Sequence, residues 1–130
     1  MMAKQEHIDY WIFTANKDWE ALLNMYQSKD YVQALFFSHL VLEKLCKAHW
    51  VKDNDNNTPP KTHNLLVLLE NTKLKITEED TVFFRAMNQF QLEGIYPDYA
   101  NTIYKTYKAE NTKLVLDNVN IKRLWLLENL

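Results

Sequence analysis

From Tyr31 to Lys52 the chain reads YVQALFFSHLVLEKLCKAHWVK, a long helix-forming run whose few ionisable groups sit among apolar and aromatic residues. At roughly 100° per residue, Tyr31, Leu35, Ser38, Leu42, Leu45, Cys46 and His49 cluster on one side. Ala34, Phe37, Val41 and Ala48 widen that side in one direction, Val32 and Trp50 in the other. The remaining arc, with Gln33, Lys44 and Lys47, also contains Phe36, Leu40 and Val51. An ordinary surface helix has one apolar stripe and one solvated face, whereas a helix apolar nearly all round is buried on several sides. This run therefore reads as the centre of a helical bundle, with its outer arc meeting a partner.

The rest of the chain supports an all-α fold. One glycine and three prolines in 130 residues leave few of the turn residues that sheets and hairpins need. The length suits a single domain, 1–130, with a core of its own. Fifteen basic and 17 acidic residues give a net charge of −2, so no bulk field drives the chain onto nucleic acid or an anionic membrane. Cys46 is the single cysteine, which excludes an internal disulfide, and it reads as a small buried hydrophobe. Charges scattered through the N-terminal segment interrupt any signal-peptide core, and no stretch is long enough to span a bilayer. A cytoplasmic protein without membrane contact is the expectation, and no cofactor is implied.

A first helix is expected from Ile8 to Ser28, where Ile8, Trp11, Ile12, Ala15, Trp19, Leu22, Leu23 and Tyr26 recur at helical steps. A turn at Ser28-Lys29-Asp30, with Asp30 as N-cap, makes it the antiparallel neighbour of the central helix. The polar segment 53–61, DNDNNTPPK, reads as a loop. Its acid and amide alternation lacks the glycine and the bidentate glutamate of a calcium loop. A short third helix follows Thr62 through Leu65, Leu66, Leu68 and Leu69. Thr77 and Asp80 form a capping signal for a fourth, with Val82, Phe83, Met87 and Phe90 inward. Gly94 and Pro97 are expected to end it before Tyr96-Pro97-Asp98-Tyr99. The stretch 100–110 reads either as a loop or as a short helix. A C-terminal helix at about 111–130, capped near Asn111 or Thr112, closes the chain through Leu114, Val115, Ile121, Leu124, Trp125 and Leu127.

His39, Glu43 and Lys47 are spaced i, i+4, i+8 and form a row on one flank of the central helix. Read functionally, the row is a polar groove where Lys47, with Lys44, meets a phosphate and His39 supplies a switchable donor. Read structurally, it is an intrahelical Glu43–Lys47 pair with His39 hydrogen-bonded in the bundle, and this is the weightier reading. His63 and Asn64 either cap the third helix or aim backbone N–H groups at an anion. Tyr96 and Asp98 stop a helix or rim a pocket. His39, His49 and His63 lack a spacing that selects a metal, so no metal site is assigned.

Three pieces occur in order: Tyr31, Ala34, Phe36, His39, Leu40, Glu43, Lys44, Lys47 and Ala48; Thr62-His63-Asn64-Leu65; and Tyr96-Pro97-Asp98-Tyr99. With Tyr10-Trp11 and Ala15, this pattern resembles the HEPN domain (higher eukaryotes and prokaryotes nucleotide-binding), of the bacterial stand-alone type. The resemblance runs from about Ile8 to Tyr99. It implies an up-and-down bundle of four to five helices, commonly a homodimer, encoded beside a minimal nucleotidyltransferase in toxin–antitoxin-like systems. Some members are ribonuclease toxins; others bind nucleotides or act as non-catalytic partners.

The family's ribonucleases carry an arginine followed four to six residues later by a histidine, a cation for the phosphorane charge beside an acid or base. Here Arg85 and Arg123 are the only arginines, and His7, His39, His49 and His63 all precede them. The arginine that often precedes Tyr-Pro-Asp is replaced by Ile95. The expectation is a non-catalytic, homodimeric module that binds a nucleotide or acts with a nucleotidyltransferase, with Phe36 and Leu40 at the dimer interface. The ligand-site candidates are His39, Glu43, Lys44, Lys47, His63, Asn64, Tyr96 and Asp98. The alternative is a divergent metal-independent ribonuclease acting on RNA through His39, His63, Lys47 and Arg85.

Overall fold

The run that begins at Tyr31 forms one helix, Tyr31–Asp53, and fourteen of its 23 residues are buried. Leu35, Leu42 and Leu45 are wholly enclosed, and so are Ala34, Val41 and Ala48, which widen the same side. Gln33, Phe36, Leu40, Lys44 and Lys47 on the outer arc stay partly open, as do Tyr31, Phe37 and the last two residues, Lys52 and Asp53. The computed structural model describes residues 3–93 and 95–130, and among them lie six α-helices and no strand. They are α1 (Lys4–Gln27), α2 (Tyr31–Asp53), α3 (Leu65–Leu69), α4 (Glu78–Met87), α5 (Pro97–Thr106) and α6 (Ala109–Glu128), with a 3-10 turn, Asn88–Phe90, after α4.

Long-range bonds give the directions. Lys4 at the start of α1 donates to the carbonyls of Val51 and Asn54 at the end of α2, both at 2.6 Å, so the two helices are antiparallel. A cation there also answers the unpaired carbonyls and negative dipole end of α2. Tyr26 donates its hydroxyl to the Ala109 carbonyl, and His49 bonds the Leu126 carbonyl, so α6 runs in the same sense as α2. Asp80, opening α4, pairs with Lys122 near the end of α6, while Phe90 stacks edge-on to Tyr107 before α6 begins. Hence α1, α2, α4 and α6 alternate up and down, with α3 and α5 in the connections.

Several local expectations hold. Thr77 accepts from Asp80 N and Asp80 accepts from Thr77 N, a reciprocal cap. Leu65, Leu68 and Leu69 are buried. Cys46 is buried, and its burial, with Glu43 nearby, pushes the thiol well above its ordinary range. The polar segment after α2 folds back on the helix end: Asn54 Nδ2 bonds Trp50 O and Asn71 O, and Asp53 Oδ2 accepts from Lys73 N.

Other boundaries differ. The first helix starts a turn early at Lys4, because Glu6 reaches back to Ala3 N and Lys4 is anchored on α2. Asp30 occupies the N-cap position of α2 without a side-chain bond, because its backbone N–H closes α1 by bonding Met25 O. α4 ends at Met87, and the 3-10 turn carries Phe90 inward. Met87 and Phe90 are buried as expected and Phe83 is half-buried, but Val82 is 57% exposed and the fully buried Phe84 takes its place on the inner face. Gly94 lies outside the described residues. Tyr96-Pro97-Asp98-Tyr99 opens a helix instead of stopping one: Pro97 sits in the first turn of α5, where its missing N–H costs nothing. α5 also resolves the ambiguous stretch 100–110. α6 starts at Ala109, two residues before the expected boundary, because Asn111 accepts from Lys108 N and donates to Thr106 O.

The inner face of α6 is Thr112, Leu116, Val119 and Leu126, while Leu114, Ile121 and Leu124 point outward. Its rotation is held by Lys122 on Asp80 and by Arg123, which lies 4.5 Å from the Trp19 ring centre.

Lys29, at φ 65°, is the single non-glycine residue with positive φ among the described residues. It stands where a helix C-terminus usually has glycine: Lys29 N bonds Tyr26 O and Asp30 N bonds Met25 O. The left-handed conformation costs an L-residue about 1 kcal/mol or more. Lys29→Gly is therefore expected to stabilise the protein by about 0.5–1 kcal/mol, read from its midpoint in urea.

Candidate functional site

α2 carries the expected row, and three further segments meet it. Glu43 is 4% exposed, so its carboxylate needs partners on both oxygens. Lys47 donates to Oε2 at 2.9 Å, and His63 Nδ1 lies 2.9 Å from Oε1. His39 Nδ1 is 3.8 Å from Oε1, too long for a hydrogen bond, and neither of its ring nitrogens has a well-formed partner among the described residues.

His39 is wholly buried, and burial lowers its pKa. The carboxylate of Glu43, the side chain of Asn88 and the backbone of His63 act the other way, and the nearby His63 ring adds to the lowering. The net result is a neutral imidazole inside the bundle at pH 7. Lys47 stands 5.2 Å from the Trp11 ring centre, so its ammonium is held between a carboxylate and an aromatic ring. Lys44, on the next arc of α2, is tied to Asp18 of α1 at 2.6 Å.

His63 lies in the connection before α3, and its side chain is 53% exposed. Its neighbour Asn64 is the true cap of α3, accepting from Leu66 N at 3.0 Å. Asn88 braces this cap: its Oδ1 accepts from Leu65 N and its Nδ2 donates to Asn64 Oδ1, both at 3.1 Å. Glu93 Oε2 approaches the outer nitrogen of His63 to 4.0 Å. Asn88 and Glu93 escape a sequence reading because they come from a separate segment and share no spacing with the row.

Tyr96 and Asp98 are exposed at the start of α5, and no hydrogen bond or ion pair joins them to Glu43 among the described residues. Phe36 and Leu40 are half-buried beside the row. Phe36 helps to line a shallow groove of about 370 Å3 with Val32, Leu92 and Tyr104. Arg85 is exposed near the end of α4, whereas Arg123 is bonded to Asn120 and covers Trp19. No group of three or more His, Cys, Asp and Glu residues is placed to hold a metal ion among the described residues. No described helix is long and apolar enough to cross a membrane.

The arrangement is a nearly enclosed carboxylate with its charge answered by an ammonium, and an imidazole at the surface. It can fix the connection before α3 against α2, and it presents one histidine nitrogen outward. No curated protein and no solved structure matches the chain. The model of the HEPN domain matches residues 8–121, from the first turns of α1 well into α6, and the chain belongs to that family.

Proposed function

We propose that the protein is a non-catalytic HEPN module, the whole chain acting as one homodimeric unit that binds a nucleotide or works with a minimal nucleotidyltransferase. The observation that carries this reading is the state of the polar row on α2. Both oxygens of Glu43 are taken, Lys44 and Lys47 are each paired to a carboxylate, and His39 is sealed from solvent. Groups committed to one another in this way hold a fold together and leave little free for acid–base work. The absence of a histidine after either arginine points the same way.

Phe36 and Leu40 support an association surface, since they interrupt an otherwise polar open arc on a helix that is buried elsewhere. The purified protein is expected to sediment as a dimer at micromolar concentration. Leu40→Asp is expected to shift it to monomer with its helical circular dichroism intact. A wild-type monomer, or a Leu40→Asp dimer, would refute this interface.

One observation favours the alternative, a divergent ribonuclease. His63 is half exposed and bonded through Nδ1 to a buried carboxylate, an arrangement that orients an imidazole and turns its outer nitrogen away from the bundle.

A further inference from the structure

α1 opens with a lysine at the end of a helix that disfavours a cation. Lys4 follows the N-cap Ala3, so its charge falls at the positive end of the α1 dipole. Its ammonium reaches instead to the end of α2. There it donates to Val51 O and Asn54 O, both at 2.6 Å, and to Asn57 Oδ1 at 3.0 Å. Three N–H donors meet three acceptors, the full capacity of an ammonium. All three acceptors are neutral oxygens, and no carboxylate lies within ion-pair distance of Lys4 among the described residues.

Neutral oxygens gathered at a helix C-terminus make a cation site. The carbonyls of the last turn have no helical partner, and the helix dipole adds negative potential there. A cage without a carboxylate does not suit calcium or magnesium, whose sites rely on carboxylates. It suits a monovalent ion, as carbonyl oxygens that replace a hydration shell do for potassium. Val51 belongs to α2, whereas Asn54 and Asn57 belong to the connection that leads to α3. From 58 to 62 that connection bonds only within itself, Thr58 N to Asn56 Oδ1 and Thr62 N to Pro60 O, and Pro59 is buried. Its far end is held by His63 on Glu43 and by Asn64 on Asn88. One connection is therefore fixed twice, by a cation cage at one end and a buried carboxylate at the other.

We propose that the end of α2 is a monovalent-cation site with the Lys4 ammonium as its resident ion, and that its occupancy positions the connection carrying His63. Lys4 is then a positioning residue, acting on His63 through the chain between them. With the Lys4 ammonium withdrawn, potassium or free ammonium takes its place. The inference stands apart from the dimer and from the question of chemistry at Glu43, so each can fail alone.

Urea unfolding and limited trypsin digestion of the full chain, both at constant ionic strength, test it. Trypsin reads the connection directly, because Lys61 is exposed and lies within it. The reference salt is tetramethylammonium chloride, whose cation has no N–H donor and is too bulky for the cage. In that salt Lys4→Ala is expected to have a lower urea midpoint than the wild type, with unchanged circular dichroism. It is also expected to be cut after Lys61 at least tenfold faster. Potassium or ammonium chloride is expected to restore at least half of both losses, while the wild type behaves alike in all three salts. Asn57→Ala removes one oxygen of the cage, leaves both helices intact, and is expected to quicken the same cut. Lys17→Ala, at an exposed lysine of α1, is expected to match the wild type. A Lys4→Ala protein as resistant as the wild type, losses equal in all three salts, or an Asn57→Ala connection cut no faster would overturn the assignment.

Discussion

Glu43→Ala is expected to cost about 3–5 kcal/mol of stability, the range for breaking one side of a buried ion pair. The loss has two sources. The Lys47 ammonium, only 14% exposed and tucked under Trp11, would be left without its counter-charge. His63 would also lose the carboxylate that ties the connection before α3 to α2. Chemical denaturation of the single variant gives the number directly. Replacing both partners with apolar residues, Glu43→Leu with Lys47→Met, removes the uncompensated charge and is expected to recover most of the loss. A single variant within about 0.5 kcal/mol of wild type would mean that the pair is a surface decoration, which its burial contradicts.

Acid should weaken the protein in a window set by two histidines. His39 and His49 are both fully buried, and burial lowers both pKa values. The opposing contributions are Glu43, Asn88 and the His63 backbone for His39, and the Leu126 carbonyl and Asp53 for His49, where Lys52 adds to the lowering. Each ring is then neutral in the folded chain at a pH where the unfolded chain has begun to protonate. Their contribution is complete above the ordinary histidine value of 6.5 and is lost as the pH falls below it, until the folded values are reached. The slope is at most about 1.4 kcal/mol per pH unit for each ring, or about 2.8 for the two together. Asp80 acts in a lower window. Burial works to raise its pKa, but bonds from Lys122 and Thr77 outweigh this and lower it, so its stabilisation is lost only below the carboxylate range. Urea midpoints measured from pH 7.5 to pH 5 should fall steadily, and His49→Gln should flatten the slope by about half. A flat profile for the wild type would place both rings in water.

The central helix was legible because its apolar residues cover almost every direction, a pattern that only enclosure accommodates. Its turn with α1, the Thr77–Asp80 cap and the leucines of α3 were legible because each is a local device written in a few adjacent residues. α6 was legible as a helix but not in its rotation. Its apolar residues point several ways, and the choice is made by contacts with distant Asp80 and Trp19. Pro97 misled for a chemical reason: proline both ends a helix and begins one, and only the neighbours in space decide which. The site divides in the same way. Spacing on α2 showed that His39, Glu43 and Lys47 share a flank, but not that His63, Asn88 and Glu93 arrive from other segments. Nor does any spacing show that Lys73 N meets Asp53 at the end of α2.

The Glu43 network is proposed to hold the fold together and to perform no chemistry. Incubating the purified protein with a mixed RNA pool, beside His39→Ala and His63→Ala, tests it most directly. The pool is expected to stay intact in all three incubations over hours. RNA cleavage by the wild type that disappears in His39→Ala or His63→Ala would contradict it.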